Sequence, residues 1–252
     1  MKPLIQWLSV LSLALFLANG TPARDRSATP EKISAASAHS VTVNRAIPQK
    51  DPGLLHPETL KAKAPAEFDA KFVTTKGDFV IHVTRAWSPM GADRFYNLVK
   101  HHFYDGASLF RVVSGFVVQF GLGPDPAVNK AWDSAKIGDD PVKSSNKIGA
   151  VTYAMAGPNT RTTQIFINLG NNTRLDTMGF APFGEVTSGM DVIKQFYADY
   201  ADQPTGHQDD ITNQGKPYLD KNFPKLDSIK TAVIVAAPAA AAPAAATAKP
   251  KD

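Results

Sequence analysis

Cysteine is absent from all 252 residues. That removes disulfides, thiolate-bound zinc, thiol nucleophiles and a lipid-modified cysteine behind any leader, so the core must hold the fold unaided. Also missing are a Gly-x-Ser-x-Gly elbow, a phosphate-cradling glycine loop and a His-Glu-x-x-His pair, and with them the common signatures of serine hydrolases, nucleotide-binding enzymes and zinc proteases. No charge of one sign dominates, since 27 basic residues face 23 acidic ones spread along the chain. Without a basic stripe, no nucleic-acid partner is expected. No apolar run reaches the roughly 20 residues that span a bilayer.

The most apolar run, Leu4 to Ala18, follows Lys2 and leads into the small residues Ala18 and Gly20. This is the layout of a secretory signal peptide. Residues 1–20 are therefore expected to be cleaved, giving an exported protein, periplasmic or extracellular, with no stable membrane insertion; a retained anchor is the alternative. Residues 21–64 are interrupted by Pro22, Pro30, Pro48, Pro52 and Pro57 and read as a linker or loosely packed arm. Residues 236–252 are rich in Ala and Pro, and Pro238, Pro243 and Pro250 deny them a continuous helix, so they read as a flexible tail. One folded domain is expected between, at 65–235.

Within it, Phe68–Thr75 and Phe79–Thr84 flank Lys76-Gly77-Asp78 and predict a strand pair around a turn. Ser88-Pro89 opens a helix whose apolar residues Ala92, Phe95, Leu98 and Val99 recur at helical spacing. Short strands are predicted within 109–120, 148–156, 164–168 and 226–235. A second helix is predicted over 189–197, with Ser188 and Asp191 as its capping box. Many short strands and only two helices imply an all-β barrel capped by helices. His101-His102 falls at a helix end, while Asp139-Asp140 and Asp209-Asp210 read as solvated turn pairs. No metal and no cofactor is expected.

Two segments stand apart from this background. One is Phe110-Arg111-Val-Val-Ser-Gly115-Phe116-Val117-Val118-Gln119-Phe120-Gly121, and the other is Ala154-Met155-Ala-Gly157-Pro158-Asn159-Thr-Arg-Thr-Thr-Gln164-Ile-Phe166-Ile-Asn168. Together with Phe103-Tyr-Asp-Gly106, Leu175-Asp176 and Phe183-Gly184-Glu-Val186, they resemble the signature segments of cyclophilins in family order over about residues 66–235. The stretches 179–184 and 223–227 look closest to bacterial exported members. The resemblance implies a closed antiparallel eight-stranded barrel capped by two α-helices, acting as a monomeric peptidyl-prolyl cis/trans isomerase on proline-containing polypeptides.

By that resemblance Arg111 occupies the catalytic arginine position, with Phe116 and Gln119 beside it. Val117, Phe166 and Leu175 match the proline pocket, and Ala154, Met155, Gln164, Arg174 and Phe180 complete the substrate-binding set. In a regular strand Phe116 and Gln119 would face opposite sides, so a bulge or bend near Gly115 is required. Three positions depart from the better-known pattern: Met155 stands where asparagine is frequent, Arg174 where some members carry tryptophan, and Phe180 near a frequent histidine. Loss of an indole donor at 174 implies weak binding of cyclosporin-like macrocycles. Two other functions fit less well. A proline-binding chaperone without turnover has no use for a charge at the rotating amide, and a structural secreted β protein leaves Arg111, Phe116, Gln119 and Phe166 unexplained.

Overall fold

The computed structural model describes residues 51–235. The expected signal peptide, most of the expected linker and the Ala/Pro tail lie outside the described residues.

Alternation sets the first two strands. In β1 (Glu67–Thr74) and β2 (Asp78–Thr84), Ala70, Phe72, Phe79, Ile81 and Val83 are buried while Lys71, His82 and Thr84 face outward. The turn between them closes through Thr74, whose backbone N donates to the Gly77 carbonyl at 2.9 Å. α1 (Pro89–Lys100) buries Ala92, Phe95, Leu98 and Val99, as their spacing requires. β3 (Arg111–Val113) and β4 (Val117–Phe120) form a hairpin, and α2 (Pro126–Asp133) follows. The remaining elements are β5 (Ala150–Tyr153), β6 (Ile165–Asn168), β7 (Pro182–Ser188), α3 (Met190–Ile193), α4 (Gln208–Gln214), α5 (Lys216–Asn222) and β8 (Ile229–Val235).

The strands form one eight-stranded sheet in the order β3-β4-β6-β5-β7-β2-β1-β8, every pair antiparallel. The sheet curls around an aromatic core in which Phe72 and Phe79 stack at 4.9 Å and Phe95 lies 4.9 Å from Phe183. It is a half-barrel, which corrects the expectation of a closed one. β8 does not pair with β3; the start of β8 bonds instead to the chain ahead of β3, where Gly106 N donates to the Ile229 carbonyl and Ile229 N to the Ala107 carbonyl. Ser108 and Leu109 keep that register, opposite Ser228 and Asp227, and the chain leaves it at Phe110, which turns into a second apolar cluster with Leu122, Ile211, Leu219 and Phe223.

The expectation of two helices is likewise corrected, since five α-helices occur among the described residues. The helix predicted over 189–197 ends at Ile193. Ser188 stays in β7, opposite Val80, and Gly189 takes the capping position at φ 85°. A Cβ there would sit 2.4 Å from the Asp78 carbonyl oxygen, so only glycine fits. Beyond Ile193 the chain is drawn away by Asp227, whose carboxylate accepts from Tyr197 N at 2.8 Å.

Two further expectations change. Ser88 stands at the start of α1, but the amides of Met90 and Gly91 donate to Asp140. Asp140, read as a solvated turn residue, is thus a buried cap delivered from a distant loop and is also held by Arg161. The end of the expected linker is packed. Leu54 and Ala64 are buried, Trp132 Nε1 donates to the Leu54 carbonyl at 2.8 Å, and Asn97 exchanges hydrogen bonds with both backbone groups of Ala62. Proline had masked this arm by breaking any periodic pattern, yet its backbone is satisfied by side chains of α1 and α2.

Candidate active site

The β3–β4 hairpin places Arg111 directly opposite Gln119, and the β4–β6 pairing places Gln119 directly opposite Phe166. Paired residues in an antiparallel sheet share a face, so Arg111, Gln119 and Phe166 form one row across three strands. Val117, two residues before Gln119, lies on the same face. The alternate residues Val118, Phe120, Ile165 and Ile167 belong to the main core. A register fixed by core burial therefore determines which side chains reach the outer face.

Phe116 and Gln119 converge through the hairpin loop. Residues 114–116 form a turn in which Gly115 takes φ 72° and Phe116 N donates back to the Val113 carbonyl at 2.9 Å. Phe116 is at the tip of the hairpin and outside the strand, so strict alternation does not apply to it. Its ring lies 5.5 Å from the Arg111 guanidinium carbon and 5.6 Å from that of Arg174, within cation–π range of both.

Beside this row is a small apolar cluster separate from the main core. Val117, Phe166 and Leu175 are buried in it, with Phe116, Ala154 and Phe180 packed around them. Phe180 meets Phe166 edge-on at 5.9 Å. A groove of about 320 Å³ continues from it, lined by Gln119, Ala154, Met155, Gln164 and Gln208 among others. A larger cavity of about 600 Å³ lies under residues 57–62, against α1 and the end of α2, and has only Lys136 in common with the groove. Size alone does not mark the site; convergence of donors on an apolar cluster does.

The polar groups form a chain. Arg111 Nη1 donates to Gln119 Oε1 at 3.0 Å, Gln119 Nε2 to Gln164 Oε1 at 2.9 Å, and Gln164 Nε2 to Gln208 Oε1 at 2.9 Å. Arg111 Nε donates to Asp202 at 2.5 Å. The structure thus brings together every residue expected for the site, with Arg174 at its exposed margin.

It also adds residues the sequence reading missed. Asn146 is fully buried, donates to Asp176 Oδ1 and the Phe180 carbonyl, and accepts from Thr152 and Asn168. Asn172 donates to Asn168 and to the Phe116 carbonyl. These asparagines fasten the hairpin tip and the 3-10 turn Thr173–Met178, which carries Leu175, to the sheet. Burial opposes the Asp176 charge, but hydrogen bonds from Ser145 and Asn146 outweigh it and hold this carboxyl below its usual value. Asp202 and Gln208 had no local signal, since they act on partners far away in the chain.

Residues 70–216 match the family described as cyclophilin type peptidyl-prolyl cis-trans isomerase/CLD. The peptidyl-prolyl cis-trans isomerase ppi1 of Schizosaccharomyces pombe is 33% identical over 140 residues, covering 52% of this chain and 88% of that protein. A peptidyl-prolyl cis-trans isomerase of Acinetobacter baylyi is 32% identical over 143 residues, covering 53% of this chain and 74% of that protein. Among solved structures, a cyclophilin type isomerase of Cryptosporidium parvum superposes with a TM-score of 0.51 at 19% identity, covering 68% of this chain and 99% of that one. The same protein solved in the presence of the dipeptide Ala-Pro gives 0.50, at 19% identity and 67% and 99% coverage. Likeness at that identity speaks for the fold, while the sequence relatives and a family match over more than half the chain speak for descent: the chain belongs to the cyclophilin-type peptidyl-prolyl cis/trans isomerases.

Proposed function

We propose that this isomerase seats the proline ring of its substrate against Val117, Phe166 and Leu175, and that Arg111 stabilises the twisted X-Pro amide. The observation that carries this reading is the cross-strand row, which sets a guanidinium beside an apolar cluster of suitable size. Rotation about an X-Pro bond breaks amide conjugation across a barrier of roughly 20 kcal/mol. No nucleophile or general base is needed, only preference for the deconjugated state over either planar form. A guanidinium stays protonated and offers donors in a fixed plane to the carbonyl or to the imide nitrogen, whose lone pair is freed by twisting. Acceleration by about five decades requires about 7 kcal/mol. One preorganised donor supplies about 3 to 4 kcal/mol, and the remainder falls to orientation of the substrate in the groove.

The substrates in this reading are proline-containing segments of exported polypeptides, met by a monomer in the periplasm or outside the cell. Support for export comes from Lys2 and the apolar run after it. The outward-facing groove suits flexible chain more than a small metabolite, and a structural neighbour was solved in the presence of the dipeptide Ala-Pro.

The test is an isomerisation assay on short X-Pro peptides with the full chain and its Arg111→Ala form. Turnover is expected to fall about 100-fold or more, with peptide binding largely kept by the apolar cluster. Equal rates for the two proteins would refute the role given to Arg111.

A further inference from the structure

The segment between α3 and β8 reaches the active site twice. Asp202 precedes the 3-10 turn Gln203–His207 and Gln208 follows it. Asp202 holds Arg111 and Gln208 holds Gln164, so one short turn clasps both ends of the row Arg111–Gln119–Gln164. The clasp is anchored. Tyr200 packs edge-on to Phe223 at 5.2 Å, and Phe223 shares a cluster with Phe110, the residue immediately before Arg111. Ala201, directly before Asp202, is held at φ 45°, a conformation alanine adopts only when its surroundings impose it.

We propose that Asp202 is a positioning residue for the isomerisation, fixing the plane of the Arg111 guanidinium so that its uncommitted nitrogen is presented to the substrate. The proposal rests on the role given to Arg111 above. A planar group held at one nitrogen can still swing about that contact. Held at Nη1 by Gln119 and at Nε by Asp202, it cannot, and Nη2 is left with no protein partner among the described residues. Preorganisation of this kind acts on the transition state, because the donor need not be ordered when the amide twists. The Asp202 side chain does nothing else for the fold: it caps no helix, and its pair with Arg111 is too exposed, at 25% and 58%, to contribute much to stability.

The experiment measures kcat, KM and thermal unfolding of the full chain carrying Asp202→Ala, Asp202→Asn, Arg111→Ala, and Asp202→Ala with Arg111→Ala. Asp202→Ala should lower kcat about tenfold with KM changed less than twofold and no loss of thermal stability. Asp202→Asn, whose amide oxygen still accepts from Nε, should recover most of that loss. In the Arg111→Ala background, Asp202→Ala should change nothing further. Undiminished kcat in Asp202→Ala would overturn the proposal, as would a further loss in the Arg111→Ala background. Failure of rescue by asparagine would overturn the hydrogen-bonded orientation. If Arg111→Ala alone is fully active, the reading of Arg111 fails instead, a result separable from these.

Discussion

Replacing Asn146 by alanine should loosen the proposed proline pocket from beneath without touching a residue that lines it. The side chain makes four hydrogen bonds, to Asp176 Oδ1, the Phe180 carbonyl, Thr152 and Asn168, at 2.7, 2.8, 2.8 and 3.2 Å. Two partners keep other bonds: Asn168 still reaches the Ala150 carbonyl, and Asp176 still accepts from Ser145 and from Asn146 N. The other two, the fully buried Thr152 hydroxyl and the Phe180 carbonyl, lose the partner that satisfied them. At about 1 to 3 kcal/mol for each of the two groups left unsatisfied, the cost is about 2 to 6 kcal/mol. That is a large part of the roughly 5 to 15 kcal/mol that holds a domain together. Urea unfolding should show the midpoint falling by about 1 to 3 M, taking a slope of about 2 kcal/mol/M. Because the Phe180 segment loses its tether and the turn bearing Leu175 loses one of its own, X-Pro peptides should also bind about tenfold more weakly. Asn146→Asp should be no better at pH 7, since it places a carboxylate against Asp176 and loses both donors. A cost below about 1 kcal/mol with unchanged peptide affinity would refute the view that this asparagine network builds the pocket.

Phe166→Ala and Ile167→Ala should separate the two faces of β6. The first should abolish most peptide binding, while the second, whose side chain lies in the main core, should destabilise by about 2 to 4 kcal/mol and leave affinity of the folded protein intact; titration beside urea unfolding distinguishes them, and matching profiles would refute the register argument. Leu54→Ala should cost about 2 to 3 kcal/mol without changing turnover, because the arm packs on α2 through Leu54 and Trp132; an unaltered unfolding midpoint would show that the arm contributes nothing. Burial works against the charges of Asp93, Asp140 and Asp176, but hydrogen bonds from Arg85 and Ala64, from Ser88, Gly91, Met90 and Arg161, and from Ser145 and Asn146 prevail and lower all three in the folded state. Unfolded, these carboxyls titrate near their ordinary 3.8, so the stability they confer is complete above about pH 5 and is lost as pH falls through the lower folded values. Asp105, raised by burial, acts in the opposite sense and offsets part of the loss. Asp140→Asn should flatten the decline of unfolding free energy between pH 5 and pH 2, and an unchanged slope would show that Asp140 is not one of its sources.

The lining of the site was legible because it is written on contiguous strands. Arg111, Val117, Gln119 and Phe166 sit in two short segments whose alternation against core residues such as Val118 and Ile167 already decides the face each one takes. Even the conflict between Phe116 and Gln119 was visible as a demand for a bend, which the turn at Gly115 meets. What could not be read is whatever arrives from elsewhere in the chain. Asp140 caps α1 across some fifty residues, and Asp202 reaches Arg111 across 91, distances at which no periodicity or motif spacing carries information. The half-barrel was hidden for the same reason, because closure depends on where Phe110 goes, and Phe110 goes to Ile211, Leu219 and Phe223. These partners of Phe110 lie on α4, on α5 and at the end of α5, in the same stretch between α3 and β8 that carries Asp202.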